Sequence, residues 1–65
     1  MNTHLEILRY FDYDHLPPEL QAISKPFHDL AYLMARSGDM KLDEVKAGLR
    51  KLLEAKDCFV RASVG

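Results

Sequence analysis

The sequence predicts an all-α protein, a short N-terminal helix followed by a long antiparallel helical hairpin. Three observations carry that prediction. Leu20, Ile23, Phe27, Leu30 and Met34 recur at alternating spacings of three and four, an unbroken seam down one helix face. Val45, Leu49, Leu52 and Phe59 form a second helical stripe, with Leu53, Val60 and Val64 beside it. Between the two stripes, Ser37, Gly38 and Asp39 supply the residues that end a helix and turn the chain.

Taken in order, Asn2 and Thr3 suit the N-cap of a first helix over about 3–12. Leu5, Leu8 and the pair Tyr10–Phe11 recur in it at spacings near three. Ten residues are marginal as an isolated helix, so this element must dock on something. Asp12 to Leu16 breaks it, and Pro17–Pro18 opens a second helix over 18–36, because proline is well tolerated in a first turn. Pro26 sits inside that helix, where it removes a bond to the Ala22 carbonyl and predicts a kink. Ser24 is placed to bond back to the loosened backbone, and Gly38 is placed to end the helix near C′. Asp43 suits the N-cap of a third helix over 43–63, with Glu44 favourable in its first turn. Arg50–Glu54 and Asp57–Arg61 are spaced for ion pairs along it, and Gly48 permits a close backbone approach.

Size argues for self-association. A chain of 65 residues makes one domain at most. Burial of apolar surface on folding contributes roughly 100 kcal/mol, and ordering the chain costs about the same. Cys58 is the single cysteine, so no intramolecular disulfide can help. No metal-ligand spacing stands out, and no cofactor is expected. The stripe on helix three is wider than one hairpin partner needs, which leaves part of it for another subunit. A net charge of −1 excludes general polyelectrolyte binding to nucleic acid. No apolar run approaches the length of a membrane span, and the first ten residues lack the order of a signal peptide. A lone thiol without an export signal points to the cytosol.

The richest stretch is Tyr10–Phe27, YFDYDHLPPELQAISKPF. Asp12, Asp14 and His15 raise the question of a carboxylate–imidazole site, but no further ligand or base accompanies them, and turn chemistry explains them. His28 and Asp29 are neighbours on a helix and should point apart, which argues against an acid–base pair. Cys58 reads as a small side chain buried or half-buried in the helix packing. Lys25, fixed between Ser24 and Pro26, has a restricted direction that suits a phosphate; the alternative is a solvated surface lysine. Tyr10, Phe11 and Tyr13 are either core or exposed stacking surfaces for a nucleobase. Lys56 and Arg61 either complement the end of helix three or, repeated around a symmetry axis, concentrate positive charge.

The blocks RYFDYDHLPPELQAISKPFHDLA and LRKLLEAKDCFVRA, with HLP, SKPF and VRA in that order, resemble a phage family. Its members are the small proteins that sequester cyclic oligonucleotides and so block CBASS antiphage signalling, the anti-CBASS sponges, whose hairpin domain is shared with Thoeris inhibitors. The segment RSGDMKLDEVK departs from the linker of that family, and Gly48 interrupts the third block. The resemblance implies a helical protomer that assembles into a hexamer in the cytoplasm of the infected bacterium. It implies binding of cyclic dinucleotides and, in separate pockets, cyclic trinucleotides, without turnover. By position, Tyr10 looks like the base-stacking aromatic of the dinucleotide pocket and Lys25 its phosphate-contacting lysine, with Arg9 and His15 as further members. Arg61 looks like the arginine of the trinucleotide pocket, with Phe27 and Lys56 beside it. Two copies of Lys25 and Tyr10 about a two-fold axis would match a ligand with two phosphates, and three of Arg61 about a three-fold axis a trinucleotide.

Two other classes compete with this expectation. One is a helical module that occludes a host protein through the wide stripe on helix three. The other is a hydrolase of the messenger, for which no catalytic constellation is visible. DNA binding is disfavoured because helix three mixes acids among its bases and the linker lacks helix-turn-helix spacing.

Overall fold

Leu5, Leu8 and Phe11 stand three residues apart, the period at which side chains of a 3₁₀ helix eclipse one another. The computed structural model, which describes residues 5–64, has a 3₁₀ helix at Glu6–Phe11 in place of the α-helix expected over 3–12. Its bonds run three residues back, from Leu8 N–H to the Leu5 carbonyl and from Asp12 N–H to the Arg9 carbonyl. The tighter winding lines up the three apolar side chains on one side. The expected caps at Asn2 and Thr3 lie outside the described residues.

Helix α1 spans Pro18–Arg36 and helix α2 spans Leu42–Val64, joined by a five-residue connection into a hairpin. No strand occurs among the described residues. The molecule measures 37 × 19 × 16 Å, and the long axis is set by α2, which at about 1.5 Å per residue is roughly 34 Å long. No helix among the described residues is long and apolar enough to cross a membrane.

The start of α1 follows from Pro17–Pro18. Pro18 has no N–H to leave unsatisfied, and the Pro17 carbonyl accepts from both Leu20 and Gln21 N–H at 2.9 Å. The helix continues through Pro26 to Arg36. The end of α1 differs from expectation. No glycine among the described residues has positive φ, so Gly38 is not a left-handed terminator. The chain leaves through an extended Ser37, whose hydroxyl donates to the Leu33 carbonyl at 3.2 Å. Helix α2 begins one residue early, at Leu42, which puts Asp43 inside its first turn rather than at the cap. Asp43 and Glu44 there still complement the positive end of the helix.

Among the described residues four hydrophobic side chains are buried: Leu8 and Phe11 from the 3₁₀ helix, Ala31 from α1 and Leu49 from α2. Half the core thus comes from the shortest element, which fills the angle of the hairpin. On α1 the deepest positions are Ser24 and Ala31 rather than the seam of larger residues. The reason is that α1 is packed on two sides, by α2 and by the 3₁₀ helix, and small residues let all three meet. The seam sits at the rim of this contact. Ile23 and Phe27 line one open groove with Phe59, and Leu30 and Met34 line another with Val45, Leu49 and Leu52. Ser24 does not repair the backbone at Pro26, because its buried Oγ has no hydrogen-bond partner.

Three further expectations for α2 need correction. Gly48 meets nothing within 4 Å of where a Cβ would stand, so no backbone within this chain approaches it. Cys58 is exposed, since it follows the buried Lys56 by two residues, about 200° around the helix. Among the described residues the one lysine or arginine paired with a carboxylate within 4 Å is Lys25, so neither Arg50–Glu54 nor Asp57–Arg61 is formed. Arg61 turns instead to Cys58, with Nη2 3.3 Å from Sγ.

Candidate functional site

The connection between the 3₁₀ helix and α1 is fixed by Gln21. Its side-chain amide donates to the Leu16 carbonyl at 2.8 Å and to the Asp14 carbonyl at 3.3 Å. Leu16 N–H in turn donates to the Tyr13 carbonyl at 3.0 Å. A side chain from the first turn of α1 therefore satisfies backbone acceptors that the turn leaves open. Turn chemistry of Asp12, Asp14 and His15 was the expectation for this stretch, and Gln21 is the residue that holds it. The consequence is positional, because the anchored turn holds Tyr13 against α1.

There Tyr13 meets His28 edge to face, with ring centroids 5.0 Å apart and planes at 82°. Tyr32 covers the same imidazole at 4.5 Å, one turn further along α1. His28 Nδ1 donates to Asp29 Oδ1 at 3.0 Å, and Lys25 Nζ donates to Asp29 Oδ2 at 2.7 Å. The expectation that His28 and Asp29 point apart is overturned: the short carboxylate bends across the roughly 100° between neighbouring positions and reaches the ring. A signal for this cluster was present in the sequence. Lys25, His28, Asp29 and Tyr32 stand at i, i+3, i+4 and i+7, the spacing of one helix face.

Electrostatically the cluster is a relay of opposite charges. The hydrogen bond that Lys25 donates to Asp29, and the charge of that carboxylate, raise the Lys25 ammonium above its ordinary value, with Tyr13 adding a smaller contribution. Lys25, and then His28, hold the Asp29 carboxyl below its ordinary value. Both partners are more than half exposed, so water screens the pair. A histidine oriented by a carboxylate has half the apparatus of a general base. No hydroxyl or thiol is hydrogen-bonded to the other ring nitrogen among the described residues.

Tyr10 and Arg9 occupy the outward faces of the 3₁₀ helix. Tyr10 is 54% exposed, and the Arg9 guanidinium lies over its ring at 5.3 Å from the centroid. This is an exposed aromatic face backed by a cation. Behind it lies Lys56, the only charged side chain that is buried among the described residues. Its ammonium donates to the Tyr10 carbonyl at 2.7 Å and stands 5.9 Å from the Phe11 ring centroid. Lys56, expected beside Arg61, thus reaches across from α2 to support the segment that carries Tyr10. His15 is exposed in the connection, with no side-chain hydrogen bond among those formed by the described residues.

At the far end of the hairpin, Phe27 stacks on Phe59 with centroids 5.8 Å apart and planes at 28°. These rings and Ala22, Ile23, Pro26, Ala62 and Ser63 line an open apolar groove. Arg61 is exposed on the same terminal turns of α2. Phe27 and Arg61 therefore share one end of the molecule, whereas Lys56 does not join them. A second groove, of about 290 Å³, is lined by Leu30, Met34, Met40, Val45, Leu49 and Leu52 together with Glu44 and Gly48. Its lining offers an anion no cation, and its size suits side chains rather than a nucleotide.

Among the described residues no three His, Cys, Asp or Glu side chains gather as metal ligands would. No protein-family model, no curated protein and no solved structure matches this chain.

Proposed function

We propose that this protein binds and sequesters cyclic oligonucleotide second messengers without cleaving them, and so blocks CBASS signalling in the cytoplasm of an infected bacterium. The observation that carries the reading is an exposed aromatic face backed by a cation. Arg9 backs the half-exposed Tyr10, and Lys25 stands exposed on α1. Aromatic faces accept any nucleobase and ammonium groups accept phosphodiesters, with no need of a reactive group. In this reading Tyr10 stacks on a base of a cyclic dinucleotide and Lys25 contacts its phosphate, with Arg9 and His15 at the edge. Arg61 and Phe27 serve a cyclic trinucleotide. Lys56 supports Tyr10 from behind rather than touching ligand.

The reading requires more than one copy, because a single exposed lysine is a weak anion site. We propose a homo-oligomer, a hexamer by resemblance, in which copies of Lys25 and of Arg61 meet about symmetry axes. The exposed apolar residues Leu30, Met40, Phe59 and Val64 supply surface for such contacts. Calorimetric titration with cyclic GMP–AMP tests the reading. Binding by the parent, loss of at least tenfold in Lys25→Ala and Tyr10→Ala, and recovery of intact ligand after denaturation support it. Full affinity in both variants would show that the pocket is elsewhere, and no binding by the parent would discard the reading.

A second reading is favoured by the apolar groove between Leu30, Met34, Met40 and α2. In it, the chain is a helical interaction module that covers a host protein. A monomer that ignores nucleotides and loses partner binding in Leu30→Lys would support this alternative.

A further inference from the structure

Asp29 spends one oxygen on the lysine that the proposed pocket would offer to a phosphate and the other on the imidazole beside it. Oδ2 takes the Lys25 ammonium at 2.7 Å and Oδ1 takes His28 Nδ1–H at 3.0 Å. A phosphodiester is also a monoanion with two free oxygens, and it seeks the same kinds of donor at similar distances. Asp29 is about half exposed, so rotating it away from Lys25 uncovers no core. Neither group is held by a second ion pair among the described residues, and the flanking Tyr13 and Tyr32 touch the imidazole rather than the carboxylate.

From this geometry we infer that Asp29 is the resident occupant of the phosphate position, an internal competitor that a ligand must displace from Lys25 and His28. It is an affinity- and specificity-setting residue that makes no contact with ligand. When the phosphate arrives, Lys25 Nζ and His28 Nδ1–H exchange one anion for another, and Asp29 turns to water. The exchange discriminates by charge. A neutral nucleoside has nothing with which to displace the carboxylate, so stacking on the tyrosines alone does not open the site. A ligand presenting phosphodiesters to two copies of Lys25 displaces two carboxylates in one binding event, which sharpens the preference for a ligand with two correctly spaced phosphates. The surface setting keeps the cost of each displacement small, so Asp29 tunes the site and does not close it.

The inference rests on the phosphate-contacting role proposed for Lys25, and the experiment separates the two. Calorimetric titration with cyclic GMP–AMP is run on the parent, on Asp29→Asn and Asp29→Ala, and on the same substitutions combined with Lys25→Met. Both Asp29 substitutions are expected to tighten binding by roughly two- to fivefold for each lysine engaged, so about tenfold for a ligand that spans two. In the Lys25→Met background the gain should shrink to the smaller share that comes from freeing His28. If the parent binds and the Asp29 variants bind no tighter, the competitor role is overturned while the pocket stands. A gain undiminished without Lys25 overturns it as well, since the carboxylate would then act only by general repulsion. Binding by the Asp29 variants but not by the parent overturns the tuning role, since the carboxylate would then close the site, and binding by none of the proteins overturns both claims.

Discussion

Replacing Lys56 by methionine tests whether this lysine supports the fold or is free for a ligand. Its ammonium is buried and its bond to the Tyr10 carbonyl spans 46 positions of sequence, tying α2 to the 3₁₀ helix. A hydrogen bond from a charged donor contributes about 1.5–3 kcal/mol, against which the desolvation of the ammonium must be set. Methionine keeps an apolar stem of similar length and removes only the charge and the bond. The expected net loss for Lys56→Met is therefore about 1–2 kcal/mol. Lys56→Ala also loses the stem, at ~0.8 kcal/mol per buried methylene, and should cost about 2–3 kcal/mol more. For a domain of this size each kcal/mol lowers Tm by about 4–8 °C. Urea unfolding followed by circular dichroism, at one protomer concentration, measures both. Amide exchange adds a local readout: the Leu8 and Asp12 N–H groups, which bond within the 3₁₀ turn, should lose protection before those of α1. A Lys56→Met protein as stable as the parent, with those amides still protected, would refute the argument and return the ammonium to the list of ligand contacts.

Three other outcomes follow from single side chains. Gly48→Ala should stabilise α2 by up to about 1 kcal/mol by thermal melting, because nothing stands where the methyl would go; a fall in Tm instead would mean that another chain lies against that face. Ser24→Ala should stabilise by about 1 kcal/mol in urea titration, since it removes a buried hydroxyl without a partner, and a loss of stability would show that the hydroxyl is satisfied after all. The depressed Asp29 carboxyl favours the folded chain only while ionised. Its contribution should be fully present above the ordinary value of 3.8 and disappear as pH falls through the lower folded value. The raised Lys25 favours it up to the ordinary value of 10.5, with loss as pH climbs beyond. The stability difference between parent and Asp29→Asn should therefore be small and flat across neutral pH and vanish in acid, and a difference that grows in acid would reverse the sign of the argument.

The hairpin was legible because helical periodicity and punctuation agreed: two stripes, a proline pair at the start of α1 and a polar turn after it. What the periodicity hid was which side of α1 faces inward. A seam count rewards large residues, but where three elements converge the deepest positions go to the small ones, Ser24 and Ala31. The buried lysine was illegible for a related reason. Nothing local distinguishes Lys56 from the exposed lysines of the same helix; its partner is a backbone carbonyl 46 positions away. The Lys25–His28–Asp29–Tyr32 face was readable from spacing alone, and was missed because His28 and Asp29 were weighed only as immediate neighbours. Gly38 misled in the opposite direction, since a glycine after a helix suggests a left-handed end that the extended Ser37 makes unnecessary.

The 3₁₀ helix explains how so small a chain can carry both a core and an exposed aromatic on six residues. At three residues per turn, Leu5, Leu8 and Phe11 fall on one line, Glu6 and Arg9 on a second, and Ile7 and Tyr10 on a third. In an α-helix, at about 100° per residue, the first three would spread over roughly 120° and drag the Tyr10 face toward the hairpin. The tighter winding narrows the inserted edge to two buried side chains, Leu8 and Phe11, and leaves Arg9 and Tyr10 outside. Substitution at Tyr10 therefore removes a surface ring and little packing, whereas Phe11→Ala empties the centre of the core at a cost of about 3–5 kcal/mol. A loss of ligand binding in Tyr10→Ala can then be read as the loss of a contact, provided the variant unfolds at the same urea concentration as the parent. If it unfolds earlier by more than about 1 kcal/mol, the inward and outward faces of this helix are not independent.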